Sequence, residues 1–130
     1  MFRLVKVLNG NNQYETQKLT AGATTVIGPG CALSCQNGNL TTPTATAMPD
    51  YISITTSNGR SSKKVSVMLI TEDMLFKVEY TGTTTPYVGM SVALSTKTYK
   101  MDSVTYNASG KGIVMDIEKD TGLVYVKFRK

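Results

Sequence analysis

Cys31 and Cys35 are the residues whose type and spacing come nearest to redox or metal chemistry, and both lie in "GPGCALSCQNG" (28–38). Turn-formers bound that segment, Gly28-Pro29-Gly30 before it and Asn37-Gly38 after it, so its middle reads as a short strand. Side chains alternate along a strand, which puts Cys31, Leu33 and Cys35 on one face and Ala32 and Ser34 on the other. Four extended residues span about 13 Å, at roughly 3.3 Å each. A disulfide requires Cα atoms within about 7 Å, so the two cannot bridge within one strand. Zinc would need further ligands, and the chain has no histidine and no third cysteine. Both thiols are therefore expected to be reduced and to pack as small apolar groups, with intermolecular pairing as the alternative.

Other chemistry is equally sparse. Without histidine the commonest general base and metal ligand is missing. The carboxylates are mostly isolated, and no nucleophile elbow, phosphate loop or zinc-protease helix motif occurs. In "ASGKG" (108–112), Thr105 stands where a phosphate loop needs its first glycine. "DIEKDTG" (116–122) resembles a calcium loop briefly, but its glycine falls one position late and Lys127 replaces the closing glutamate. Lys119–Gly122 is instead read as a hairpin turn. Asn39-Leu40-Thr41 and Asn107-Ala108-Ser109 match the glycosylation pattern, which carries meaning only in a secreted chain. The expectation is a protein that is not an enzyme, with no catalytic residues, no cofactor and no metal.

The elements that hold these residues read as strands throughout. "FRLVKVL" sets Phe2, Leu4 and, after a slip, Val5 and Val7 against Arg3 and Lys6. "YISITTSNGR" puts Ile52 and Ile54 on one face before a turn at Asn58-Gly59, and "KKVSVMLI" does the same with Val65, Val67 and Leu69. "DMLFKVEY" alternates most cleanly, with Met74, Phe76, Val78 and Tyr80 inward and Lys77 and Glu79 outward. "YVGMSVALS" offers Met90, Val92 and Leu94, "GIVMDIE" offers Ile113, Met115 and Ile117, and "LVYVKFRK" offers Val124, Val126 and Phe128. Thr/Gly/Pro/Asn clusters separate these runs, and no stretch keeps a helical apolar period. The pattern predicts an all-β fold, a compact small barrel or sandwich of short antiparallel strands with an N-terminal arm. Residues 1–16 are expected to form that arm or a first strand, and 17–130 a single β domain. A weak internal echo adds a question. Gly30 to Gly89 and Val65 to Val124 share an offset of 59 residues, which fits either a duplicated unit or two strands obeying one pattern.

Composition bounds the function classes. The 130 residues are 41% hydrophobic, enough to bury a core without disulfides. No long apolar run reads as a leader or a membrane span, so the chain is expected to stay in the cytoplasm where it is made. Fourteen Lys+Arg against nine Asp+Glu leave a charge of +5, scattered along the chain as on ordinary solvated strands. Seven tyrosines with a basic excess also fit a small nucleic-acid-binding barrel, but they fall on different strands without an aromatic triplet, which argues against that reading.

The second half, "TTPYVGMSVALSTKTYKMDSVTYNASGKGIVMDIEKDTGLVYVKF", resembles the closing portion of small capsid decoration (cement) proteins of tailed bacteriophages. Pro86, Val88-Gly89, Val92, Leu94, Gly112, Ile113, Val124, Val126 and Phe128 carry the resemblance, and "KVSVMLITEDMLFKVEYTG" is similar to the strand that leads into it. Those positions are fold markers, not functional residues, and the Thr/Pro-rich loop at 41–50 and the N-terminal segment depart from the pattern. The resemblance implies a structural virion protein on the outside of a phage capsid, made in the host cytoplasm and docked on the major capsid protein. It also implies a homo-oligomer, with a trimer favoured, and no membrane partner. A tail or baseplate component is the alternative within the same class. The arm strand is the expected partner contact: Phe2, Arg3, Leu4, Val5, Lys6 and Val7, whose backbone edge could pair with another chain.

Overall fold

The computed structural model describes residues 1–7, 16–21, 26–55, 57–58 and 64–130. The first half of the chain supplies the strands β1 (Arg3–Val7), β2 (Thr16–Ala21), β3 (Val26–Ile27), β4 (Ala32–Gln36), β5 (Asn39–Thr41), β6 (Tyr51–Ser53), β7 (Ser57–Asn58) and β8 (Lys64–Leu69). The second half supplies β9 (Met74–Tyr80), β10 (Ser91–Ser95), β11 (Ser103–Tyr106), β12 (Gly112–Glu118) and β13 (Leu123–Phe128). Among the described residues there is no helix, and the all-β reading holds. The expected turn at Asn58-Gly59 and the polar stretch 9–13 fall outside the described residues, apart from Asn58, which ends β7.

The strands close two rings. In the first, β2, β5, β4, β6 and β8 pair in that order and return to β2. In the second, β9, β11, β10, β12 and β13 pair in that order, and the β9–β13 ladder closes the ring. In each ring one pair is parallel, β2–β5 and β9–β11, and the rest are antiparallel. The short pair β3–β7 lies outside both. Each ring is a small barrel whose interior is filled by side chains.

The two barrels are copies of one design. β10 and β13 occupy the positions of β4 and β8 moved 59 residues along the chain. The registers agree as well. Thr20↔Lys64 and Gln17↔Val67 in the first barrel correspond to Glu79↔Leu123 and Phe76↔Val126 in the second. Gln36↔Asn39 corresponds to Ser95↔Ser103, and Ala32↔Ile52 to Ser91↔Ile113. A register slip of one residue would reverse every side chain, so this agreement decides the question raised by the sequence echo in favour of a duplicated unit. The copies differ in two loops. The first barrel joins β4 to β5 by Asn37-Gly38, both at positive φ, the geometry of a two-residue hairpin turn. The second barrel has the longer 96–102 there. The first barrel has the longer 42–50 between β5 and β6, where the second has 107–111.

Each long loop grips the other barrel. Leu94 N–H donates to Ala45 O of the 42–50 loop at 2.9 Å, and Ala45 and Met48 pack against the second barrel's core. In return, Ala32 N–H donates to Met101 O of the 96–102 loop at 2.9 Å. The ring of Tyr99 lies on Gly28, where a Cβ would collide with it. The Thr/Pro-rich loop is thus an internal clasp.

Two apolar clusters follow. The first barrel's interior holds Ile27, Cys31, Leu33, Leu40, Val65 and Val67. The second barrel's interior, with Phe76, Val78, Met90, Val92, Val126 and Phe128 among others, continues into Ala32, Ile52, Met68 and Ile70 of the first. This continuity explains two departures from simple alternation. β8 buries Met68 as well as Val65 and Val67, and leaves Leu69 only half-buried, because its second face meets the other barrel. Cys31 and Leu33 point into the first barrel while Ala32 is buried against the second.

Ile54, expected on one face with Ile52, lies past the end of β6 and is exposed. Two bulges cause further differences. The β1–β9 register slips between Leu4 and Lys6, so Val5 is the extra residue and stands 45% exposed, not inward as alternation after a slip implies. The β12–β13 register slips between Val114 and Asp116. Ahead of the slip the buried phase is Gly112 and Val114, with Met115 exposed, which corrects the expected inward set of Ile113, Met115 and Ile117. Past the bulge, Ile117 turns back to the core.

Candidate interaction surface

Among the described residues, no three His, Cys, Asp or Glu side chains gather where they could hold a metal ion. Cys31 is buried with its thiol pushed up by desolvation, which opposes formation of the reactive thiolate. Cys35 is free and half-buried, opposite Leu40 in the β4–β5 hairpin.

Among the described residues the buried charged side chain is Asp102, which the sequence did not single out. Burial raises its carboxyl pKa, but backbone N–H donors of Tyr99, Lys97 and Thr98 at 2.8, 2.8 and 3.0 Å outweigh that, leaving it below the ordinary value. It organises the clasp loop 96–102. The Met1 amine also bonds Asp102 O and pairs with Glu79. The only signal in sequence was an aspartate near the end of a polar loop, which any surface turn provides.

The six residues expected at a partner contact separate into two sets. Phe2 and Val7 are buried. Phe2 completes an aromatic trio with Phe76 and Phe128, at ring distances of 6.1 and 5.7 Å, and its N–H donates to Gly30 O. Arg3, Val5 and Lys6 are exposed, and Leu4 is half-buried. Arg3 lies opposite Lys77, and Lys77 opposite Tyr125. Lys77 Nζ sits 5.7 Å from the Tyr125 ring centre and pairs with Glu118 at 2.6 Å, which raises the lysine's pKa and lowers the glutamate's. This outer face of the second barrel is basic and partly apolar.

A second, different surface lies at one end of the second barrel. Tyr87 and Val88 are 54% and 63% exposed, and Tyr106 and Met115 stand out nearby. The Tyr80 hydroxyl donates to Thr84 O at 2.6 Å, next to the Tyr106 backbone and the Tyr87 hydroxyl, and desolvation raises its pKa. Three of the seven tyrosines thus gather at one place, which their scatter over strands concealed. Residues 81–96 and 103–110, which build this end, include no charged side chain.

No protein-family model matches the chain, and no curated protein matches it. Among solved structures, the head fiber gp8.5 N base of bacteriophage phi29 is similar, with a TM-score of 0.60. The match covers 90% of this chain and 95% of that one, at 12% sequence identity. The two chains share a fold. The likeness therefore extends over both barrels, where the sequence resemblance rested mainly on the second. At that identity the likeness is one of fold.

Proposed function

We propose that the chain is a structural component of a phage virion that docks on the head. The observation that carries this reading is the nearly end-to-end likeness to a head fiber base. A barrel pair clasped by reciprocal loops suits the role, because such a protein needs rigid surfaces more than a reactive site. In the finer form of the proposal it binds the outside of the capsid as a homo-oligomer, contacts the major capsid protein and stabilises the shell, as a decoration protein does. It performs no catalysis and needs no cofactor. The exposed residues of β1, Arg3, Val5 and Lys6, supply the docking face. Their charge favours an acidic shell surface and sets orientation and on-rate more than affinity.

The test is to add purified protein to heads lacking it, with isolated tails in parallel, and to measure occupancy. Binding to heads, reduced in Arg3→Glu/Lys6→Glu, is the expected result. Binding to tails alone would move the protein to the tail or baseplate, and binding to neither would overturn the proposal. Nucleic-acid binding is not favoured, because the tyrosine cluster lies in uncharged surroundings and offers nothing to neutralise phosphates.

A further inference from the structure

The duplicated design exposes an asymmetry between two equivalent turns. Gly28–Cys31 of the first barrel and Tyr87–Met90 of the second are equivalent turns, the second closed by Met90 N–H donating to Tyr87 O and the first by the Ser53 hydroxyl set between Cys31 N–H and Gly28 O. Gly30 and Gly89 both have positive φ, at 67° and 92°. Gly30 N–H donates to Ser53 O as Gly89 N–H donates to Val114 O, at 2.9 and 2.8 Å, and Cys31 and Met90 are both buried. Their outer faces differ. In the first barrel the turn is covered: Tyr99 of the other barrel lies on Gly28, Met1 and Phe2 press on Gly30, and Met101 O meets the N–H of Ala32. In the second barrel Tyr87 and Val88 stand where Gly28 and Pro29 are, and they point outward, exposed.

We propose that this turn is an interface between copies of the chain, covered by the first barrel of a second copy. Within one molecule, the surface that covers such a turn is the other barrel of the same design, through its 96–102 loop between β10 and β11 with Met1 and Phe2 beside it. The loop at the equivalent position of the first barrel is Asn37-Gly38. A chain of two barrels uses that contact once and leaves one covering end and one turn unused, the situation that head-to-tail association resolves. The sizes are complementary. Inside the chain, a large residue on the loop, Tyr99, meets a glycine on the turn. Between copies the large residue is on the turn, Tyr87, and the covering loop is the short Asn37-Gly38, where nothing stands within 4 Å of the position a Gly38 Cβ would take. Aromatic and aliphatic residues without charges are the composition of an interface core. This surface is distinct from the β1 face, and the inference does not depend on the phage role.

Sedimentation velocity over a concentration series tests it, on the wild type and on Tyr87→Lys, Val88→Asp and Val5→Asp. The wild type is expected to associate. Tyr87→Lys and Val88→Asp are expected to weaken association about tenfold or more, with the melting temperature unchanged at dilutions where both proteins are dissociated, since both side chains are exposed. Val5→Asp should leave association intact. Hydrogen exchange read on the associated protein should show new protection at both 36–39 and 87–91. A wild type monomeric up to its solubility limit would overturn the proposal. So would association that Tyr87→Lys and Val88→Asp do not affect, or variants that associate normally yet lose binding to heads, which would assign the turn to the shell.

Discussion

Asp102 shows how a single side chain can order a segment that local propensity leaves open. Three backbone N–H groups converge on its carboxylate, and charge-assisted bonds of this kind are the stronger ones. Replacement by Asn keeps the shape but removes the charge and puts a donor among donors, so Asp102→Asn should cost about 1–3 kcal/mol in chemical denaturation. Because the folded pKa lies below the usual 3.8, this stabilisation is complete above that value and disappears as pH falls through the lower folded value. The variant and the wild type should therefore converge in stability under acid, and a gap that stays constant with pH would refute the role. Its neighbour Ser103 offers the opposite case. Its hydroxyl is fully buried without a partner, so Ser103→Ala should be neutral or slightly stabilising. A clear loss of stability would reveal a bond that the geometry does not contain.

Strands were legible where one face was buried and the ladder was regular. "DMLFKVEY" and "LVYVKF" follow the sequence pattern at their inward residues because each lines one barrel, and only Leu75, opposite Lys6 of β1, is buried out of phase. "GIVMDIE" misleads because its buried phase runs through Gly112 and Val114 before the bulge and moves to Ile117 after it, so no single alternation describes the strand. "KVSVMLI" misleads because both of its faces are covered, the second by a barrel that the sequence does not announce. β1 combines the two effects, and its residues separate accordingly. Phe2→Ala removes one member of the aromatic trio and should cost about 3–5 kcal/mol, measured by urea unfolding. Val5→Asp should cost less than 1 kcal/mol, because the bulge turns that side chain to solvent. A strand that served only as a detachable arm would tolerate both. A large effect at Phe2 would show that removing the segment damages the body as well as any docking.

At the scale of the molecule, the question is whether two barrels of one design behave as two domains or one. The duplication itself was barely visible in the sequence, because what the copies share is register and ring order, which many residue choices satisfy. Unequal loops also break the offset between them. The differences between the copies matter more for stability than the likeness. The first barrel buries Ala32, Ile52, Met68 and Ile70 on its outside, in the same apolar cluster as the second barrel's interior. Separating the barrels would expose those residues and strip the clasp loops of their bonds to Ala32 and Leu94. Neither barrel retains a complete apolar surface on its own. Thermal unfolding should therefore be one calorimetric transition, with the van't Hoff and calorimetric enthalpies equal. Gly28→Ala probes the same joint, since its methyl group would collide with the Tyr99 ring in the seam between the barrels. The expected result is a lower melting temperature of that single transition. If Gly28→Ala instead splits the curve into two steps, or the wild type already shows two, the barrels fold independently and the clasp only tethers them.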